Sequence, residues 1–278
     1  MKLNYQKIKR SMLITLFLFL GLILANEGLA NSTAYGEGFR SFLTKHYAEH
    51  IALGYKKARL EMYGFIYNNP LTNTVTCIYT GRELDCPYLT EETNCNKDLN
   101  CEHVVPQSFF NSLEPMKSDL HHLYPALEAA NNARSNYPFD NIPAANVSTW
   151  YGKNTITEEL PQFPGRYSKV EKGLRFEPRE AAKGRIARAV AYFFIAYPDY
   201  FDRLEDVMDV DTLLHWNVLH PPTAEELDEH SRIVTVQGNK NPFVVDHLWM
   251  IRAYCDVSSW GCQDFEGTIE SQEITDVE

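Results

Sequence analysis

The amino-acid sequence predicts a domain of the α+β class, and three observations support this prediction. Apolar side chains recur three and four positions apart in residues 38–50, 55–67 and 181–197, which is the spacing of amphipathic helices. Short β-rich segments at 75–79 and 104–105 lie between the second and third of these helices. Hydrophobic residues make up 44% of the chain and charged residues 23%, a globular composition that excludes disordered, collagen-like and coiled-coil proteins.

The first thirty residues have the pattern of a secretory signal peptide. Four basic residues precede an apolar run from Leu13 to Leu24, and Gly28 and Ala30 supply the small residues of a cleavage site. This run is shorter than the roughly 20 residues that a membrane span needs. We therefore expect export to the periplasm or the medium and no membrane attachment after cleavage. The rest of the chain predicts one monomeric domain at residues 31–262, because no linker-like composition interrupts it.

The overall charge limits the classes of partner. The formal net charge is −11, and removal of residues 1–30 leaves 22 basic and 36 acidic residues, a net charge of −14. This balance argues against a protein that coats nucleic acid or an anionic membrane. Residues 263–278 hold six acids and no base, which predicts a solvated, flexible tail. Residues 165–190, in contrast, hold eight bases and three acids, and we expect this stretch to face phosphates.

The cysteines predict disulfides. All six follow the expected cleavage site, and an even number in an exported protein favours three bridges. They are Cys77, Cys86, Cys95, Cys101, Cys255 and Cys262. Fifteen pairings are possible, and the short spacings favour the three local loops 77–86, 95–101 and 255–262.

Further helices are predicted in the second half of the chain. One begins at Ala126 and ends near Asn136, with Pro125 suited to its first turn. Residues 211–219 and 223–231 predict two shorter helices. These segments surround the β-rich part of the chain in sequence, as expected for a mixed core with helices around it.

A carboxylate and a histidine are neighbours at Glu102 and His103, directly before the β-type pair at 104–105. Neighbouring residues of a strand point to opposite faces. Glu102 and His103 can therefore share one site only if the strand ends or bulges at this point. The alternative is a histidine at a strand edge beside a surface glutamate.

Asn131 stands on the predicted helix face that also contains Leu127, Ala130 and Arg134. A buried amide needs a polar partner. This partner is either a neighbouring loop or a metal ion bound through the amide oxygen. Carboxylate and amide oxygens suit Mg²⁺ or Ca²⁺ rather than zinc.

Several ordered motifs together resemble those of a known family. They are Cys-Glu-His-Val-Val-Pro-Gln-Ser at 101–108, Ser-Asp-Leu-His-His-Leu-Tyr-Pro at 118–125, Asn-Asn-Ala-Arg-Ser-Asn-Tyr-Pro-Phe at 131–139, Arg-Phe-Glu-Pro-Arg at 175–179, Lys-Gly-Arg-Ile-Ala-Arg at 183–188 and Gln-Gly-Asn-Lys-Asn-Pro-Phe at 237–243. With this set the chain resembles the endonuclease I family of secreted and periplasmic nonspecific nucleases, whose site is a ββα-metal (His-Me finger) unit. The resemblance covers nearly all of the chain after the predicted signal peptide.

The resemblance implies the roles of the site residues. His103 matches the general base, and Glu102 and Asn131 match the protein ligands of a single divalent cation, expected to be Mg²⁺ with Ca²⁺ or Mn²⁺ as alternatives. It also implies hydrolysis of DNA and/or RNA to products with 5′-phosphates. Arg134 is the candidate for the arginine that stabilises the transition state, and its alternative role is a structural ion pair with Asp119 or Glu128.

The local excess of bases and the nuclease motifs together predict residues that contact nucleic acid. They are Arg175, Arg179, Lys183, Arg185, Arg188 and Lys240. Arg185 and Arg188 lie away from the apolar side of the helix expected at 181–197, so we expect both to face solvent and to meet phosphates. Two positions depart from the family pattern, since some members have an acid at the position of Lys117 and an arginine at that of Lys240. We expect His121 and His122 to orient the site rather than to bind metal.

Two alternative functions remain open from the sequence. His46-Tyr47-Ala48-Glu49-His50 matches the His-x-x-Glu-His pattern of zinc peptidases, to which Glu49 contributes the glutamate. On a helix, His46 and His50 would share one face, as zinc binding requires. Because His46 also belongs to the apolar side of its helix, a packing role competes with this interpretation. The other alternative is a noncatalytic secreted module that binds nucleic acid.

Overall fold

The computed structural model describes residues 34–86, 95 and 97–262. Its α-helices are α1 Gly36–Tyr47, α2 Tyr55–Glu61, α3 Glu128–Arg134, α4 Glu180–Ala196, α5 Leu204–Val207, α6 Val210–Leu219, α7 Ala224–Gln237, α8 Pro242–Val245 and α9 Trp249–Tyr254. Its strands are β1 Asn68–Asn69, β2 Thr74–Thr76, β3 Glu83–Asp85, β4 Leu99–His103, β5 Leu123–Leu127, β6 Thr149–Tyr151, β7 Ile156–Thr157, β8 Ser168–Glu171 and β9 Arg175–Glu177. The predicted signal peptide and acidic tail lie outside the described residues.

Within the described residues the strands form three small antiparallel sheets, so the α+β class is confirmed. Their orders are β1-β2-β3, β4-β5 and β7-β6-β8-β9. In the two-stranded sheet, Glu102 pairs with Tyr124 and His103 with Leu123. In the described part of the chain, the helices are too short or too polar for any of them to cross a membrane.

Helix α4 lies in the middle of the helical part of the protein. Its side chains Ile186, Val190 and Phe193 are buried in the core, and it packs against α1 and α6. Gly184 allows the closest approach, because a Cβ at this position would lie 2.1 Å from the carbonyl oxygen of His220, which follows α6. A larger residue at position 184 would therefore force these two helices apart.

The helices expected at 38–50, 55–67, 181–197, 211–219 and 223–231 are confirmed as α1, α2, α4, α6 and α7, with shifted ends. A π-helical turn, Met62–Ile66, continues α2.

The prediction for residues 126–136 is wrong in its first part. The chain stays extended as β5 until Leu127, and α3 begins at Glu128. Pro125 lies in β5 opposite Cys101, where its carbonyl accepts a hydrogen bond from the backbone of Ile78 at 2.9 Å. Pairing with β4 thus overrides the local signal that proline gives for a helix start.

The expected disulfide pairing is correct only for 255–262. The structure joins Cys255 to Cys262 and Cys86 to Cys95, whereas Cys77 and Cys101 are free thiols. The predicted bridges 77–86 and 95–101 are therefore wrong. Cys101 is part of β4 opposite Pro125, and the sulfur of Cys77 accepts a hydrogen bond from the backbone of Leu127 at 3.1 Å. Sheet contacts rather than loop length decide which cysteines remain unpaired.

This pairing gives a testable thiol count. Unreduced protein unfolded in guanidinium should react with two equivalents of a maleimide, and peptide mapping should place both labels on Cys77 and Cys101. In the folded protein the reaction should be slow, because Cys77 is fully buried and burial raises the pKa of the Cys101 thiol to about 12. Labelling of Cys86 or Cys95, or no labelling at all, would contradict the pairing.

Candidate active site

The hairpin of β4 and β5 and the helix α3 that follows it bring the predicted site residues together. Glu102, His103 and Asn131 all line one pocket of about 400 Å³, together with Gln107 and Arg134. Strand β4 ends at His103, so two adjacent residues can face the same pocket. The structure thus meets the condition that the sequence set for a shared site.

Glu102 is a buried carboxylate with two neighbours on one of its oxygens. The hydroxyl of Tyr79 donates to Oε1 at 2.7 Å, and Nη1 of Arg134 lies 3.3 Å from the same atom. Burial raises the pKa of Glu102, while the nearby Arg134 guanidinium and the hydrogen bond from Tyr79 oppose that rise. Among the described residues these contacts involve Oε1, which leaves Oε2 as the oxygen that a cation can use.

The hydrogen bonds of His103 determine which ring nitrogen is the base. Nε2 lies 3.0 Å from the backbone carbonyl oxygen of Lys117, and a carbonyl only accepts, so the proton is on Nε2. Nδ1 then has the free electron pair, and the side-chain amide of Gln107 donates to it at 3.3 Å. Burial lowers the pKa of His103 to about 3, so the ring is neutral at pH 7. Nδ1 is thus a base that faces the pocket.

The amide of Asn131 is oriented by a second asparagine. Its Nδ2 donates to Oδ1 of Asn100 at 2.6 Å, so the nitrogen is used and Oδ1 remains as an acceptor. Asn100 lies on β4 two residues before Glu102, which places both side chains on the same face of the strand. The sequence contained this signal in the two-residue spacing, although we did not predict a role for Asn100. For Tyr79, in contrast, no local pattern indicated a contact with the site.

Arg134 is almost completely buried and stabilises the bend after β4. Its guanidinium donates to the backbone carbonyls of His103 at 3.2 Å, Val104 at 2.6 Å and Ser135 at 3.3 Å. Its ion-pair partner is Glu102, whereas Asp119 and Glu128 had been the expected alternatives. This arginine therefore fixes the relative positions of the carboxylate and the histidine.

Comparison with known proteins decides the family. The sequence matches the endonuclease I family over residues 20–248. The chain belongs to the endonuclease I family.

Proteins similar to this chain include both ribonucleases and deoxyribonucleases by name. The chain is 30% identical to an extracellular ribonuclease of Bacillus amyloliquefaciens over 55% of its own length and 54% of that protein. It is 29% identical to an extracellular ribonuclease of Bacillus subtilis strain 168 over 80% of its length and 77% of that protein. It is 28% identical to a periplasmic deoxyribonuclease of Aeromonas hydrophila over 59% of its length and 57% of that protein. The chain thus spans little more than half of the first and third of these relatives.

The peptidase alternative does not fit this endonuclease I family member. Helix α1 ends at Tyr47, so His46 and His50 do not share a helix face. His46 is exposed and lies against the ring of Phe42, and Nδ1 of His50 is 2.8 Å from the carbonyl oxygen of Ala48. Within residues 34–86, 95 and 97–262, no three His, Cys, Asp or Glu side chains form a group that could hold a metal.

His121 and His122 of this endonuclease I family member are buried, and one ring nitrogen of each is hydrogen-bonded to a backbone carbonyl rather than available to a metal. Nε2 of His121 lies 3.1 Å from the carbonyl oxygen of Asn239, and Nε2 of His122 lies 2.7 Å from that of Met116. Burial lowers the pKa of both histidines. His121 connects the segment before β5 to the loop after α7, and His122 holds the two ends of that segment together.

The basic side chains predicted to contact nucleic acid differ strongly in their surroundings. Ion pairs within the chain neutralise four of them, namely Arg175, Lys183, Arg185 and Arg188. Arg188 is only 1% exposed and is hydrogen-bonded to Glu226, so the expectation that it faces solvent is wrong. Nε of Arg179 donates to the backbone carbonyl of Ile78, and Lys240 is exposed. The apolar periodicity of a single helix does not distinguish a charged residue that pairs with a neighbouring helix from one that faces solvent.

Proposed function

We propose that this chain is an exported, metal-dependent endonuclease that hydrolyses phosphodiester bonds of DNA and/or RNA and leaves 5′-phosphates. One observation supports this most directly: a neutral histidine nitrogen, a carboxylate oxygen and an amide oxygen face the same pocket. In this proposal β4, β5 and α3 are the ββα-metal unit of a monomeric domain at residues 31–262. The extracellular and periplasmic names of the relatives and the two disulfides support export.

The available donor atoms fit a divalent cation. Oε2 of Glu102 and Oδ1 of Asn131 are hard oxygens, which Mg²⁺, Ca²⁺ and Mn²⁺ prefer over sulfur or nitrogen. The contacts of Tyr79 with Oε1 and of Asn100 with Nδ2 use the other polar atom of each ligand. Tyr79 and Asn100 therefore hold both ligands in one orientation before a metal binds, as residues that contact metal ligands usually do. A bound cation would neutralise charge on the phosphate.

The chain's own residues account for the proton transfer. Nδ1 of His103 accepts the proton of the attacking water, and the new positive charge on the ring is stabilised by the hydrogen bond from Nε2 to the carbonyl of Lys117. Gln107 donates to Nδ1 in the present arrangement, so water must replace its amide before attack. Arg134 holds the carbonyl of His103 itself, and we propose that it contributes positive charge near the phosphate as well as position.

A cleavage assay tests the proposed function. The protein without residues 1–30 is incubated with plasmid DNA, with single-stranded RNA and with casein, in MgCl₂ or in EDTA. We expect cleavage of DNA, RNA or both in Mg²⁺ and none in EDTA, and the product ends should need no kinase before ligation. Cleavage that persists in EDTA contradicts the metal requirement. Protein that leaves both nucleic acids intact but binds them would support the noncatalytic module, and casein cleavage would support the peptidase.

Substitution of Glu102 should separate metal binding from folding. Glu102→Gln preserves shape but removes the charge, so we expect the affinity for Mn²⁺, measured by titration calorimetry, to fall by at least roughly tenfold, with cleavage falling in parallel. Glu128→Gln is the matched control, because Glu128 is an exposed glutamate on α3 and should bind Mn²⁺ as the unmodified protein does. Equal Mn²⁺ affinity of both variants would exclude Glu102 as a ligand.

A further inference from the structure

The basic stretch at 165–190 contains cations of two kinds. Five of its eight bases form ion pairs with carboxylates of the same chain, namely Lys169, Arg175, Lys183, Arg185 and Arg188. Arg166, Lys172 and Arg179 form no ion pair with any residue that the structure describes. The positive charge that carboxylates of the described residues leave uncompensated in this stretch is therefore concentrated at three positions rather than eight.

Two of these three cations, Arg166 and Arg179, line the same groove, which has a volume of about 850 Å³. Nε of Arg179 donates to the carbonyl oxygen of Ile78 at 2.9 Å, which fixes the side chain and leaves its terminal nitrogens for a ligand. Burial lowers the pKa of Arg179. The carboxylate that lines the groove, Glu180, is paired with Lys183 at 2.8 Å. The groove thus favours an anion, and planar guanidinium groups match phosphate.

Aromatic rings accompany the cations in this groove. Phe163 is 52% exposed, and the guanidinium of Arg166 lies 4.7 Å from its ring centroid. Tyr167 also lines the groove and packs on Gly152, where an added Cβ would lie 2.3 Å from a ring carbon of the tyrosine. An exposed ring beside an uncompensated arginine is the combination on which unpaired bases stack while phosphates are neutralised.

We propose that this groove is a docking site for a single-stranded segment of nucleic acid, with a base stacked on Phe163 and phosphates at Arg166 and Arg179. The ligand is single-stranded because the bases of a duplex already stack on each other and cannot reach a side-chain ring. This inference rests on the proposed nuclease function, and it adds a binding surface that shares no lining residue with the pocket of Glu102 and His103.

The test measures binding without cleavage. Fluorescence anisotropy in EDTA follows the binding of a labelled twelve-nucleotide single strand, and of the duplex of the same sequence, to the chain without residues 1–30. Phe163→Ala should weaken single-strand binding roughly 5- to 150-fold, the range for loss of one stacked base. Arg166→Ala should lower the slope of log Kd against log salt by about 0.7, the value for one phosphate contact on a single strand.

Two control variants match the substitutions. Leu174 is 54% exposed and lies outside the groove, so Leu174→Ala removes an exposed apolar side chain as Phe163→Ala does. Lys172→Ala removes an uncompensated cation of the same stretch that does not line the groove. Both control variants should bind the single strand within about twofold of the unmodified protein. Circular dichroism of all four variants verifies that they are folded.

The outcomes distinguish this inference from the proposed function. If Mg²⁺-dependent cleavage is present but Phe163→Ala binds the single strand as Leu174→Ala does, the groove is not the docking site and the nuclease remains. Equal binding of duplex and single strand, or no binding of the single strand, also overturns the docking site. If the unmodified protein neither binds nor cleaves any nucleic acid, the proposed function itself has failed.

Discussion

His103→Ala should lower the rate of phosphodiester cleavage by about 10²- to 10⁴-fold, which is the usual contribution of a general base. The reason is geometric, because Nδ1 of His103 is the neutral nitrogen with a free electron pair that faces the pocket. The effect should appear in kcat, measured on a labelled oligonucleotide at saturating Mg²⁺. Mn²⁺ affinity should change little, since Glu102 and Asn131 remain.

His46→Ala is the control for this variant. His46 is the exposed histidine at the C-terminal end of α1, so its removal should leave kcat for nucleic acid unchanged. The same variant also tests the peptidase alternative, which requires His46. Added imidazole should restore part of the activity of His103→Ala, because it can occupy the space of the lost ring, but it should not affect His46→Ala. Full cleavage activity in His103→Ala would exclude the proposed mechanism.

Much of the candidate site could be predicted from the sequence because its central residues belong to contiguous motifs. Glu102 and His103 are adjacent, and Asn131 follows on a helix whose apolar spacing is readable. Asn100 was also within reach, since strand residues two apart share a face. The roles of Tyr79 and of the Lys117 carbonyl could not be predicted, because each belongs to a segment that is distant in sequence and contains no catalytic motif.

The errors have a common physical origin in tertiary pairing. The helix expected from Ala126 begins later because Leu123–Leu127 pairs with β4. The loop-based disulfides at 77–86 and 95–101 fail because both free cysteines are engaged at that same sheet. Arg188 was expected to face solvent, but Glu226 of α7 lies against it. The periodicity of a sequence segment predicts one helix or strand at a time, and it does not predict which other helix or strand packs against it.

Asp119→Ala should give the largest loss of stability, about 3–5 kcal/mol in the free energy of unfolding. Asp119 is fully buried, and four groups donate to its carboxylate. Oδ2 accepts from the hydroxyls of Tyr192 at 2.9 Å and Tyr197 at 2.8 Å. Oδ1 accepts from Nε2 of Gln237 at 2.8 Å and from the backbone of His121 at 3.1 Å. Alanine removes the acceptor that these four donors share in a fully buried site, and urea unfolding followed by circular dichroism measures the loss.

Two further variants calibrate the loss in Asp119→Ala. Tyr197→Phe removes one of the four donors and should cost about 1 kcal/mol. Asp206→Ala removes an aspartate whose side chain is 56% exposed, so the free energy of unfolding should change by no more than about 0.5 kcal/mol. A loss in Asp119→Ala no larger than that in Asp206→Ala would show that the buried hydrogen bonds add nothing to stability.

Asp119→Ala should therefore lose stability and His103→Ala should lose activity, although one loop-and-strand segment connects the two residues. Asp119 joins the start of that segment to α4 and to the end of α7, but it does not line the pocket. Well below its lowered unfolding midpoint, Asp119→Ala should still cleave nucleic acid, whereas His103→Ala should remain folded and inactive. This opposite behaviour follows from geometry: Asp119 anchors the segment before β5 to α4 and to the end of α7, whereas His103 lines the pocket.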